Sequence, residues 1–268
     1  MDRIKIGTSG WVYPPWRGVF YPPGLAQKRE LEHLSQLVTS VEINSSFYSL
    51  QRPSSYLKWA AQTPDDFVFS LKGGRFITHL KRLRDSEDTL ANFFASGVLA
   101  LGPKLGPILW QLPPTLQFDP VLLDEFLTNL PRTTTAAAEL ATHHDERVDP
   151  SWTTTDLDRP LRHAVEVRHP SYLTPSFPEL LHKHGIAAVV ADSAGKYPLV
   201  DEVTTDFVYV RLHGADELYV SGYTDEALDR WAAKIRTWST TADVYVYFDN
   251  DAKVMAPRDA LALLKKLE

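Results

Sequence analysis

The side chains in this sequence best suited to chemistry are Glu42, Lys72, Glu166, Arg168, Asp192, Arg211 and His213, each at or just past the end of a short apolar run. Glu42, Glu166 and Asp192 are candidate general acids or bases, and His213 carries protons near neutral pH. Lys72, Arg168 and Arg211 can hold an anion, because a guanidinium fork matches the oxygens of phosphate or carboxylate. Three acids meeting three bases could equally be internal ion pairs that hold a fold together, since buried charges persist only when paired and hydrogen-bonded. Asn44 and Gln111 have the amide groups to orient a substrate. Trp11, Tyr48, Arg75, His169, Phe248 and Asn250 complete the expected substrate contacts. Aromatic residues crowd the same ends of the runs, among them Tyr13, Trp16, Phe47, Phe76, Trp110 and Tyr223, and together could form walls that stack on a sugar or a base.

These residues need a scaffold that gathers strand ends. Eight β-rich runs fall at residues 4–8, 40–43, 67–71, 107–111, 163–167, 187–191, 207–212 and 244–248. Between them lie helical patterns at 25–38, 54–62, 87–101, 120–130, 134–145, 176–184, 225–238 and 257–267. Strands alternating with helices imply a parallel sheet, and eight such units without a break in composition imply one domain over residues 1–268. The expected fold is therefore α/β, a single (β/α)8 TIM barrel of ordinary length. Two irregularities are expected: a connection after strand 6 that holds no full helix, and an inserted segment at 132–160 before strand 5. Side chains alternate faces along a strand, and barrel enzymes place their chemistry at the C-terminal strand ends. In Val41-Glu42-Ile43-Asn44, Ser70-Leu71-Lys72, Glu166-Val167-Arg168 and Tyr209-Val210-Arg211-Leu212-His213 the polar residues share one phase.

Composition narrows the function. The 268 residues carry a net charge of −6, which opposes a broad non-specific nucleic-acid surface. There is no cysteine, so disulfides, zinc–thiolate sites, iron–sulfur clusters and thiol nucleophiles are excluded. The opening Met1-Asp2-Arg3-Ile4-Lys5-Ile6 is charged and reads as no secretory signal, and no run is apolar enough to span a membrane; the expected location is cytoplasmic. No cofactor is expected. A divalent Mg or Mn on Glu42, Glu166, Asp192 and His213 is the open alternative, but three neighbouring cations compete for those carboxylates and no HExxH spacing is present. The run from Lys72-Gly73-Gly74-Arg75 to Lys81-Arg82-Leu83-Arg84 interleaves bases with Phe76, a weak nucleic-acid signal that reads first as a solvated loop.

Several motifs together resemble a known family. They are Gly7-Thr8-Ser9-Gly10-Trp11, Phe20-Tyr21-Pro22, Val41-Glu42-Ile43-Asn44-Ser45-Ser46-Phe47-Tyr48, Arg75-Phe76-Ile77-Thr78-His79, Gln111-Leu112-Pro113-Pro114, Val165-Glu166-Val167-Arg168-His169, Ala191-Asp192-Ser193, Tyr209-Val210-Arg211-Leu212-His213-Gly214 and Tyr245-Val246-Tyr247-Phe248. The set is similar to the YecE-like family, domain of unknown function 72, nearly end to end. The resemblance implies a TIM barrel and no assigned activity. One departure is Asp249-Asn250-Asp251 after strand 8, where the family pattern implies Asn-Asn; it adds acid at the rim. The reading from sequence is an enzyme using acid–base carboxylates and Arg/Lys anion binding on a small polar or phosphorylated, sugar- or nucleotide-like substrate. A nucleic-acid-binding or nuclease-type protein, and a non-catalytic barrel binding a metabolite or partner, are the alternatives. The oligomeric state is left open.

Overall fold

In the computed structural model, which describes residues 3–268, eight parallel strands close in sequence order into a barrel. The strands are β1 (Ile4–Ser9), β2 (Ser40–Ile43), β3 (Val68–Lys72), β4 (Leu105–Gln111), β5 (His163–Glu166), β6 (Ala187–Asp192), β7 (Phe207–Leu212) and β8 (Asp243–Phe248). All eight expected strands are present, with ends shifted by a residue or two. Met1 and Asp2 of the charged N-terminal segment lie outside the described residues. No helix among the described residues is long and apolar enough to cross a membrane.

Two cores follow from strand alternation. Leu109, Ala164, Ala187, Val189, Ala191, Phe207, Tyr209, Tyr245 and Tyr247 pack inside the barrel. The out-of-phase residues, such as Val41, Ile43, Val165, Val190, Val210, Leu212, Val246 and Phe248, join the larger core beneath the helices. Polar groups inside the barrel bond to one another: Ser40 Oγ and Tyr247 Oη are 2.7 Å apart, and Ser70 Oγ donates to the Pro107 carbonyl at 2.6 Å. The alanines of β5 and β6 leave room for Tyr209 and Arg211, two of the largest fully buried side chains.

The helices are α1 (Glu30–Ser35), α2 (Ser45–Tyr48), α3 (Pro53–Ala61), α4 (Glu87–Ala95), α5 (Pro120–Asn129), α6 (Thr134–Ala141), α7 (Ser176–His184), α8 (Asp225–Ser239) and α9 (Met255–Leu267). Three are shorter than the sequence pattern implies. Residues 25–38 reduce to α1 with a 3-10 turn before it, anchored where the buried Glu30 carboxylate accepts a 2.7 Å bond from Arg17. The 87–101 pattern breaks at Gly97, whose φ of 113° is left-handed and whose missing Cβ lets the chain pass Pro53 of α3, where it would sit 2.5 Å away. The inserted segment carries α6 only to Ala141, because Asp145 turns back to bond the Asn92 side chain of α4. Residues 193–206, after β6, hold no helix.

Helix starts follow the usual chemistry. Asp119 Oδ1 accepts from the Val121 and Leu122 amides at 3.1 Å, and Pro120 opens α5. Asp119→Ala is expected to destabilise the protein by about 1 kcal/mol, read as a lower urea midpoint at unchanged slope.

Candidate active site

At the C-terminal end of the barrel, Arg211 of β7 is fully buried and its guanidinium gathers three carboxylates. Its Nε and Nη2 donate to Glu42 of β2 at 3.1 and 2.9 Å. Nη1 donates to Glu166 Oε2 at 2.7 Å, and Nη2 reaches Asp249 Oδ2 at 2.9 Å. Glu42 also accepts from Tyr209 Oη at 2.6 Å and Ser9 Oγ at 3.0 Å; Glu166 accepts from Arg168 Nε at 2.9 Å. Burial raises the Glu166 carboxyl, but Arg211, Arg168, His213 and Lys72 outweigh it and hold the group below the usual carboxylate range. Asp249 is likewise brought down to about 2, burial being overcome by Arg211 and His213. His213 Nδ1 lies 3.0 Å from Asp249 Oδ2, outside hydrogen-bonding alignment.

Above this network opens a cavity of about 650 Å³ lined by Tyr13, Asn44, Phe47, Tyr48, Lys72, Arg75, His79, Leu80, Gln111, Arg168, Tyr219, Asp249 and Asp251. Its cations hang from β3 and β5, on either side of β4; its acids follow β8, the strand across the ring from β4. Arg168 donates to Glu166 and, through Nη2, to Tyr219 Oη at 3.2 Å, and lies over the Tyr197 ring. Lys72 Nζ sits 4.3 Å from the centre of the Phe47 ring. Among the described residues, neither Lys72 nor Arg75 has a carboxylate within ion-pairing distance. Burial first, then Arg211, lowers Lys72 to about 8. Burial first, then Lys72, Arg168 and Arg75, lowers His79 to about 4, so its imidazole is neutral at pH 7. Asp251 is pushed up to about 6 by burial and by Asp249. Burial also raises the phenols of Tyr13 and Tyr219, which stay protonated donors.

Two loops close one side of this mouth. The loop after β7 and the loop after β8 interlock where Ala252 N–H donates to the Tyr219 carbonyl at 3.3 Å. Tyr219 and Val254 both hold left-handed backbone, at φ of 64° and 60°. For side chains with a Cβ such geometry costs about 1–3 kcal/mol and persists only where the surroundings enforce it.

A family model described as "Protein of unknown function DUF72" matches residues 5–268. The chain belongs to the DUF72 family. It is 25% identical over 281 residues to the UPF0759 protein YecE of Escherichia coli K12, covering 95% of this chain and 89% of that one. The UPF0759 protein YunF of Bacillus subtilis is 31% identical over 116 residues, 41% of this chain and 40% of that one. A DUF72 crystal structure from Thermotoga maritima superposes with a TM-score of 0.77 at 26% identity, over 98% of both chains. One from Enterococcus faecalis gives 0.76 at 17% identity, over 98% of this chain and 95% of that one.

In this DUF72 barrel, Glu42, Glu166, Arg211 and His213 do converge, but beneath the cavity rather than on its wall. Lys72, Arg75, Gln111, Arg168, Asn44 and Tyr48 line it. Five expected residues lie elsewhere. Asp192 points out of the barrel, because Ala187, Val189 and Ala191 take the inward phase of β6; it accepts from Tyr223 Oη at 3.2 Å. Phe248 is out of phase too and packs on Tyr223 under the helices. Asn250 donates to Asp259 and the Ser221 carbonyl, bracing α9. His169 caps the 3-10 turn at Pro170–Tyr172 through Ser171. Trp11 stacks edge-on with Trp59 in a neighbouring cleft. Of the four candidate metal ligands, Glu42, Glu166 and His213 gather around Arg211 while Asp192 lies apart, and no group of three or more His, Asp or Glu among the described residues is spaced to hold a metal.

Of the other aromatics expected at the mouth, Tyr13 and Phe47 line the cavity, whereas Trp16 and Trp110 are fully buried in the core. Trp110 Nε1 donates to His163 Nδ1 at 3.1 Å beneath the helices, and the chain leaves β3 through Gly73 because a Cβ there would come 2.3 Å from the Trp110 ring. The basic run after β3 is no continuous stripe: Lys72 turns inward, Lys81 lies 3.9 Å from Asp85, and Arg82 bonds Thr115. Asp249 and Asp251, the acids on the cavity wall, were not among the site residues expected from the sequence, where they stood only as a departure that adds acid at the rim.

Proposed function

We propose that the protein is an enzyme that binds a small anionic substrate, a sugar- or nucleotide-like phosphate or an organic acid, at the barrel mouth and moves protons on it. The observation that carries this reading is the cavity itself. Lys72, Arg75 and Arg168 face into it from β3 and β5, and Asp249 and Asp251 from across the ring. Arg75 and the unused Nη1 of Arg168 supply the anion contacts, while Gln111 and Asn44 orient the remainder. Asn44 Oδ1 is buried with no partner, an acceptor suited to a substrate hydroxyl. The acid–base role moves from the buried glutamates to Asp251. Glu42 and Glu166 have their oxygens occupied by Arg211, Arg168, Tyr209 and Ser9, whereas Asp251 changes protonation near pH 6, close to working pH. The buried network serves as the positioning layer that holds Arg168 and Asp249 in place.

Among the described residues Arg75 has no side-chain partner to lose, so its removal isolates binding from folding. Titrated calorimetrically with inorganic phosphate at low ionic strength, the Arg75→Met variant is expected to bind about tenfold more weakly than wild type, the worth of one charge-assisted hydrogen bond. Wild-type protein that takes up no phosphate, or a variant that binds it equally well, would remove the anion site.

A further inference from the structure

Lys72 is an unusual lysine for its place. It sits at the inward end of β3, is 9% exposed, and has no carboxylate within ion-pairing distance among the described residues. Its ammonium lies against the Phe47 ring, with Arg211 as the leading nearby cation. Its amine opens on the cavity that also holds Arg75, Arg168 and Asp251. A lysine kept only for anion binding gains from being charged. This one is desolvated and set beside other cations, the two arrangements that free a lysine amine for covalent work.

We propose that Lys72 is a catalytic nucleophile that forms an imine with a small aldehyde or ketone carrying a carboxylate or phosphate. The proposal rests on the anion-binding reading above and names its substrate class. The Nζ lone pair attacks the carbonyl carbon; a C–N bond forms as the C=O π pair moves onto oxygen. That oxygen takes one proton as the nitrogen sheds one, giving a carbinolamine. Protonation of the hydroxyl by Asp251 lets it leave as water, and the nitrogen lone pair closes the C=N bond of a protonated imine. Asp251, as carboxylate, then takes back a proton, either from the carbon beside the imine or from the water that reverses it. Arg75 and Arg168 hold the substrate's anionic end throughout.

The free-amine fraction supports the chemistry. Against an ordinary lysine, a value near 8 leaves on the order of 100-fold more neutral amine at pH 7.

Pyruvate carries both groups and serves as the probe. The full-length protein is incubated with pyruvate and cyanoborohydride, and adducts are located by intact mass and peptide mapping. One reduced adduct on Lys72 is expected, at least tenfold faster than on any other lysine. It should be suppressed by inorganic phosphate, slowed about tenfold in Arg75→Met, and gone in Lys72→Arg and Lys72→Met. Labelling spread evenly over surface lysines, or unchanged in the Lys72 variants, would overturn the proposal. Phosphate that binds and depends on Arg75 while Lys72 stays unlabelled would refute the imine and leave the anion site standing. Absence of both phosphate binding and labelling would refute both. Should Lys72→Met fold poorly, Lys72→Arg keeps the charge and removes the nucleophile.

Discussion

Arg211→Met is expected to cost about 3–5 kcal/mol, enough to leave a domain of ordinary stability largely unfolded on mild heating. The size follows from what remains behind. Methionine fills similar space, but Glu42, Glu166 and Asp249 stay in the barrel as carboxylates that have lost their shared counter-charge. Among the described residues, Glu42 keeps Tyr209 and Ser9, and Glu166 keeps Arg168 with His213 3.9 Å away. The guanidinium is itself held well above its ordinary value: burial opposes its charge, and Glu42, Glu166 and Asp249 more than compensate. A second variant separates stranded charge from lost packing. Arg211→Met combined with Glu42→Gln, Glu166→Gln and Asp249→Asn is expected to regain most of the loss, because a buried ionic network replaced as a whole by neutral groups of similar volume is often close to neutral. Urea denaturation of wild type, single and quadruple variants decides the matter. A single variant within about 1 kcal/mol of wild type would mean that the three acids are not held by Arg211.

The same network shows what could be seen in the sequence and why the rest was hidden. Alternation carried the barrel, and it carried Glu42, Lys72, Glu166 and Arg211, because each lies in a strand whose other phase is apolar apart from His163 of β5. Strand β6 offers no such contrast. Ala-Ala-Val-Val-Ala-Asp is apolar in both phases, and only pairing with β7 shows that Ala187, Val189 and Ala191 face inward and Asp192 outward. In β8 the signal existed. Tyr245, Tyr247 and Asp249 share a phase, opposite Val244, Val246 and Phe248, so the polar partner of Arg211 could have been placed and Phe248 set aside. His169 and Asn250 look like pocket residues because they follow strand ends, yet they sit two or three residues past the last strand residue, where the chain is already turning and the two-residue period no longer decides direction. Their bonds to Ser171 and Asp259 are set by loop geometry that sequence spacing does not encode. The burial of Glu42 and Glu166 below the cavity wall was equally invisible, since depth depends on the stagger of all eight strands.

Acid should unfold the protein earlier than its neutral stability suggests. Asp249 titrates near 2 in the folded chain against 3.8 ordinarily, and Glu166 is also held below its ordinary 4.5. A carboxylate whose folded value is depressed contributes stability that is complete above its unfolded value and disappears as pH falls toward its folded one. The loss therefore runs from about pH 5 down to about pH 2, and Asp249 alone accounts for about 2 kcal/mol of it. Asp251 works in the opposite sense. Raised from 3.8 to about 6, it favours the fold while protonated and withdraws that contribution as pH climbs through 6. Lys72, lowered from 10.5 to about 8, acts in a separate window, its contribution complete above pH 10.5 and lost as pH falls through 8. His79, lowered by burial, adds stability as pH rises from about 4 to 6.5, so urea midpoints should fall steeply from pH 5 toward pH 3 and level off between pH 6.5 and 8. Asp251→Asn should steepen the rise between pH 4 and 6, where the wild-type carboxyl withdraws its contribution, and spare the limb below pH 4, because its partner in that titration, Asp249, remains anchored to Arg211. A midpoint that does not move between pH 5 and pH 3 would show that the carboxylates under the cavity are not charged in the folded protein, and the cavity's positioning layer would have to be rebuilt without them.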